Sequence, residues 1–182
     1  RGTVIQLDEY FTDGSTFWTE KGFWDMPFQR WEKMFDAGVR AHFVTSSLAS
    51  KIMLAQNQGL IINYSYWAAD RSDKGVAYSV AKAATNKMTE CMAYELNKYN
   101  VSVITLYPGL VRTESVMKNS QYFNLNNSES TEFSGRVIVQ IALDRENLLL
   151  SGKKFTSAEL AIKYNIQDID GKQPQPLTVE NC

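Results

Sequence analysis

The sequence has 182 residues and a formal net charge of −1. That length supports one domain with a real core, and the near-neutral charge argues against a nucleic-acid-binding surface. Two cysteines, Cys91 and Cys182, give no disulfide framework and no metal-ligand spacing, and no apolar run approaches the ~20 residues of a membrane span.

Taken in order, Arg1-Gly-Thr-Val lacks a methionine and carries no signal-peptide pattern, so the sequence reads as one whose beginning is absent. Thr3 to Leu7 reads as a short strand ending at Asp8, and residues 9–24 as loop. Pro27 suits the first turn of a helix, with Asp25 as a possible cap. Trp31, Met34, Phe35, Val39 and Phe43, continued by Leu48, Ile52 and Leu54, form an apolar stripe that predicts one long helix closing near Gly59. His42, inside it, reads as a surface or packed histidine. Gly59 to Tyr64 is apolar at successive positions, as a buried parallel strand is. A loop from Ser65 to Lys74 precedes a helix from about Val76 to Lys98, with Ala81, Ala84, Met88, Cys91 and Met92 on one side and Cys91 in the core. Val101 to Tyr107 predicts a second buried strand, stopped by Pro108-Gly109. Strand, helix and strand at this distance imply a right-handed βαβ unit with parallel strands. Ser65 and Pro108-Gly109 then both lie at carboxyl ends of strands, where open α/β sheets bind ligands. Residues 111–131 are polar and read as an excursion or lid, Glu132 to Leu143 as a helix, Leu148 to Phe155 as a strand broken by Ser151-Gly152, Ser157 to Tyr164 as a short helix, and residues 166–182 as a tail wrapped on the surface.

The chemistry gathers at Tyr78-Ser-Val-Ala-Lys82. A tyrosine and a lysine four apart share one helical face. An ammonium beside a phenol favours the phenolate and is expected to lower its pKa from the ~10 of a free tyrosine, giving a proton donor usable near neutrality. Tyr94-Glu-Leu-Asn-Lys98 repeats the spacing, but sixteen residues on at 100° each place it about 160° around the helix. A serine, Ser65, stands thirteen residues before Tyr78, whereas Ala81 stands thirteen before Tyr94.

Ser65, Tyr78, Lys82 and Pro108-Gly109-Leu-Val-Arg-Thr113 together resemble the short-chain dehydrogenase/reductase family. The resemblance implies an α/β fold, a Rossmann-like doubly wound parallel sheet ordered 3-2-1-4-5-6-7. This chain, truncated at its N-terminus, would then be a single partial domain holding the catalytic half, with strands five, six and seven. It implies carbonyl reduction or alcohol oxidation with NADP, or with NAD as the alternative. Tyr78 would be the acid or base, Lys82 would hold the nicotinamide ribose hydroxyls and tune the phenol, and Ser65 would hydrogen-bond the substrate oxygen. Pro108, Gly109 and Thr113 would meet the carboxamide end. Ser65 could instead cap a turn, and Thr113 could simply cap the segment after it. The loop 111–131 would line a substrate pocket, where Met117, Tyr122 and Phe123 favour a small apolar carbonyl or alcohol. Helices 27–58 and 76–98 would build a homo-oligomer interface.

Two departures stand out. The family's asparagine in the long helix aligns with Gly38, which leaves a proton relay to water or backbone. No Gly-x-x-x-Gly-x-Gly and no Asn-Asn-Ala-Gly occurs in the 182 residues, so the adenosine half of a dinucleotide lacks the cradle that such glycines and a helix start supply. A noncatalytic binding or assembly module is therefore the alternative to an oxidoreductase.

Overall fold

The computed structural model describes residues 22–180. The strand expected at Thr3–Leu7 and the core of the loop after it lie outside the described residues. Among those described, three parallel strands form the central sheet: β1 (Gly59–Tyr64), β2 (Val101–Tyr107) and β5 (Lys154–Thr156), in the order β1-β2-β5. The expected βαβ unit is present, with α3 (Val76–Leu96) crossing between β1 and β2.

Every residue of β2 is buried, and its alternation explains how. Ile104 and Leu106 face Phe133, Val137 and Ile141 of α5 (Phe133–Leu143) and Leu160 and Ala161 of α6 (Ser157–Lys163). Val101 and Val103 face the other way, onto Ala93 and Leu96 of α3. Successive side chains of a strand point to opposite faces, so a strand covered on both sides is apolar throughout. The polar members are paired: Ser102 Oγ donates to Asn147 at 2.6 Å, and Asn63 of β1 donates to Thr89 of α3 at 2.9 Å.

The long helix before β1 is α1 (Phe28–Phe35), a π-helical turn (Asp36–Arg40) and α2 (Ala41–Gln56). Its extent matches the expectation, but the π turn has no signature in the apolar periodicity. Pro27, extended at φ −63°, takes the cap position and no side chain caps the first turn, so Asp25 does not serve there. The predicted apolar stripe is not a buried one. Phe43, Leu48 and Ile52 are 56%, 59% and 63% exposed, because among the described residues no layer packs over that face and β1 is the edge of the sheet.

Three further expectations change. Cys91 is exposed, not core: the buried face of α3 runs through Ala81, Thr85, Thr89, Ala93 and Leu96, and Cys91 sits about 200° around from Thr89. Leu148 to Leu150 belongs to a 3-10 turn (Asn147–Leu150), and the strand begins only at Lys154. Gly152 causes the break; it holds φ +79° and sends its N–H to Val103 O at 2.8 Å. The excursion after β2 carries a two-strand pair of its own, β3 (Leu110–Val111) parallel to β4 (Ser128–Glu129), with α4 (Glu114–Lys118) between. Of the tail, residues 166–180 are described, and Asp168 and Pro174 in it are buried.

Candidate active site

β1 ends at Tyr64 and delivers Ser65 to the carboxyl edge of the sheet. Its N–H continues the ladder to Leu106 O at 3.0 Å, and its side chain is buried. Ser65 Oγ donates to the backbone carbonyl of Lys82 at 3.2 Å. The hydroxyl is thereby tied to the turn of α3 that carries Lys82.

Tyr78 and Lys82 occupy the first turns of α3, and both are half-buried. Lys82 Nζ lies 5.6 Å from the centroid of the Tyr78 ring, so the cation sits over the aromatic face. The expected lowering of the phenol does not occur in this arrangement. Burial pushes the Tyr78 phenol above its ordinary value, with Tyr66 adding to the rise. Burial moves Lys82 the other way, down to about 8. Desolvation opposes the charged form of each, and it outweighs their mutual attraction at this separation. Tyr94, of the second Tyr-x-x-x-Lys pair, is 89% exposed.

Pro108 and Gly109 follow β2 directly, next to the β3–β4 pair. A side chain at Gly109 is impossible without rearrangement, because its Cβ would stand 2.8 Å from Glu129 Oε1. Thr113 is the N-cap of α4, accepting from Val116 N–H at 3.3 Å. That is the capping role left open above, and it still leaves the hydroxyl proton to donate.

Several residues of this end carry no site reading in the sequence. Tyr107, the last residue of β2, is buried and its phenol donates to Asp70 Oδ2 at 3.1 Å while accepting from Asn86. Lys154 Nζ meets both Asp70 oxygens at 2.7 Å. A tyrosine directly before Pro-Gly at a strand's carboxyl end is the signal that could have found this group. His42 joins Gly38: its Nδ1 lies 2.6 Å from the Gly38 carbonyl, at the π turn, and Thr85 Oγ1 of α3 approaches the same oxygen at 3.4 Å. Burial lowers the His42 pKa, the Gly38 bond opposes this, and the Lys82 charge lowers it further. Glu129 on β4 is the fourth, a carboxylate 1% exposed. Among the described residues no cluster of His, Cys, Asp and Glu could hold a metal ion, and no helix is long and apolar enough to cross a membrane.

The serine at the end of β1, the tyrosine and lysine on α3 and the Pro-Gly after β2 thus stand at or near the carboxyl edge of a parallel α/β sheet. The family model for short chain dehydrogenases matches residues 15–122, and the chain belongs to that family. Dehydrogenase/reductase SDR family member 1 of Homo sapiens is similar over 168 residues at 33% identity, covering 85% of this chain and 54% of that protein. The chain thus spans about half the length of the curated relatives it matches. Among solved structures, acetoin dehydrogenase from Enterobacter cloacae is 26% identical with a TM-score of 0.64, over 76% of this chain and 57% of that one. A structure of ElxO with NADP bound shares the fold at 19% identity and a TM-score of 0.65, over 75% of this chain and 60% of that one.

Proposed function

We propose that this chain is the catalytic half of an NADP(H)-dependent oxidoreductase that reduces a carbonyl, or oxidises an alcohol, on a small apolar molecule. The observation that carries the reading is the half-buried pairing of Tyr78 with Lys82 one helical turn apart, with Ser65 bonded to the same turn. Its parts fit the nicotinamide–ribose end of a dinucleotide. Lys82 and the Tyr78 hydroxyl would hold the ribose hydroxyls. The Pro108-Gly109 backbone and the Thr113 hydroxyl would meet the carboxamide. The bound cofactor would supply a hydride to the carbonyl carbon.

The chain's own residues manage the proton. Tyr78 would give its phenolic proton to the carbonyl oxygen, and the same phenolate would accept it in alcohol oxidation. Lys82, charged below about 8, would stabilise the phenolate formed at that moment. Ser65 would turn its hydroxyl from the Lys82 carbonyl to the substrate oxygen and fix it. At the π turn the Gly38 carbonyl meets His42 and Thr85, so a relay in place of the family's asparagine would run through water or through this backbone group. Met117 and Tyr122, 48% and 78% exposed on the excursion, and Phe123 beside them support an apolar substrate.

The test uses the full-length protein. Adding NADPH should quench tryptophan emission with transfer to the nicotinamide and raise the melting temperature. Tyr78→Phe should cost activity by 10²-fold or more, while Tyr94→Phe should change it little. A Tyr94→Phe variant as inactive as Tyr78→Phe would overturn the site assignment. A second reading, a noncatalytic assembly element, draws on the exposed apolar face of α2; under it the full-length protein gives no NADPH response but self-associates in light scattering.

A further inference from the structure

Glu129 is a buried acid that the proposed proton chemistry leaves unused. It is 1% exposed, it lies on β4, and it pairs across the short sheet with Val111, two residues beyond Gly109. The Gly109 amide stands against its carboxyl and favours the charged form, and Oε1 fills the space where a Cβ at Gly109 would stand. Oε2 is buried with no hydrogen-bond partner. A buried carboxylate oxygen without a donor is costly and calls for an explanation.

The surroundings hold Glu129 in place. Arg112 N–H bonds the Glu129 carbonyl at 2.8 Å, Arg112 Nη1 bonds Ser128 O at 2.9 Å, and Ser130 N–H bonds Asp168 at 2.7 Å. The backbone that carries Glu129 is thus held on both sides in sequence, with the carboxyl against Gly109. We propose that Glu129 is a positioning residue for the nicotinamide end of the cofactor and sets the balance between its cationic oxidised ring and its neutral reduced ring. The inference rests on the cofactor reading above.

The physical reason is charge. An ionised carboxylate in a low-dielectric site favours a nearby cation, and a protonated one does not. Burial, opposed by the Gly109 N–H and helped by Asp168, raises Glu129 to about 7, so its charge changes near neutrality. The groups that face it are Asp168 of the tail, Arg112 beside β3 and Tyr64 at the end of β1. Asp168 is held ionised by Ser130, Ile169 and Arg112, and the Tyr64 phenol is raised. Neither changes charge in that range. Lys82 changes charge higher, near 8, and His42, on α2, lower.

The experiment measures dissociation constants of full-length protein for NADP⁺ and NADPH by fluorescence titration at several pH values from 6 to 8. The ratio of the two removes the 2′-phosphate titration that both share. In the wild type, the preference for NADP⁺ over NADPH should grow at least threefold across this range. Glu129→Gln and Glu129→Met should flatten that change and leave only what Lys82 and His42 contribute. A wild-type ratio independent of pH overturns the proposal, whether or not the variants fold. So does a Glu129→Gln ratio as pH-dependent as the wild type's. Binding of both nucleotides with either of these results leaves the cofactor reading standing, whereas no binding of either nucleotide removes both.

Discussion

At the scale of single residues, burial governs the candidate site more than pairing does. Lys82 illustrates the conflict between stability and function. Its folded pKa, about 8, lies below the ordinary 10.5. The penalty of a buried ammonium is therefore present in full below pH 8 and vanishes as pH rises towards 10.5. Lys82→Met should melt higher than wild type at pH 7, by up to roughly 3 kcal/mol of stability, with the gap closing in alkaline buffer. The same variant should lose cofactor affinity and rate together. Unchanged melting with unchanged nucleotide affinity would show that Lys82 is neither strained nor used. Glu129 gives the opposite profile. Its folded pKa is raised from 4.5 to about 7, so the neutral form is the stable one and stability is lost as pH climbs through 7. Between pH 6 and 8 the wild-type melting temperature should fall by several degrees, and Glu129→Gln should show a shallower fall in the same scan.

At the scale of elements, β1, α3, β2, α5 and α6 are legible in the sequence because each carries one strong signal. β2 is apolar throughout, and Pro108-Gly109 ends it. The site residues Ser65, Tyr78 and Lys82 were legible by spacing, which fixes their neighbourhood but not the burial that decides their protonation. The π turn at Asp36–Arg40 was not legible, since a single slipped hydrogen-bond register leaves the apolar pattern unbroken. Cys91 was misplaced because small residues occur on both sides of α3. The tail gives no periodic signal at all, yet it is anchored. Asp168 accepts from Ser130 N–H at 2.7 Å, from the Ser130 hydroxyl, from Ile169 N–H at 2.7 Å and from Arg112 at 3.3 Å. Further on, Gln175 and Asn127 exchange two hydrogen bonds, at 2.8 and 3.0 Å, and Arg71 Nη1 reaches Val179 O at 3.0 Å. The tail therefore ties the excursion after β2 to the loop between Ser65 and Tyr78. Asp168→Ala would leave buried donors unpaired and should cost roughly 2–4 kcal/mol in urea unfolding. It should also raise hydrogen exchange at Ser130 and Ile169. A loss under 0.5 kcal/mol would mean the anchor is dispensable.

At the scale of the whole molecule, the described sheet is open on the β1 side. β1 pairs with β2 on one edge, and among the described residues nothing pairs with the other. The adjoining face of α2 exposes Phe43, Val44, Leu48 and Ile52. Thr3–Leu7, which reads as a strand in the sequence, lies outside the described residues. The family's sheet order puts further strands beyond β1. An apolar parallel strand left at an edge carries unpaired N–H and C=O groups and templates aggregation. Each large apolar side chain left in water forfeits roughly 1.5–3 kcal/mol, against a net domain stability of about 5–15 kcal/mol. A handful of such losses is enough to remove cooperative folding. Residues 1–182 expressed alone should therefore be insoluble, partly molten or self-associated, with NADPH affinity far weaker than that of a full-length protein. Light scattering, dye binding and a urea melt measure the first three, and a fluorescence titration the last. Fusing a strand, a Gly-x-x-x-Gly-x-Gly turn and a helix of the family type ahead of Arg1 should restore both order and binding. A monomeric 182-residue chain that melts cooperatively and binds NADPH at micromolar concentration would show that the open edge and the exposed face of α2 need no cover.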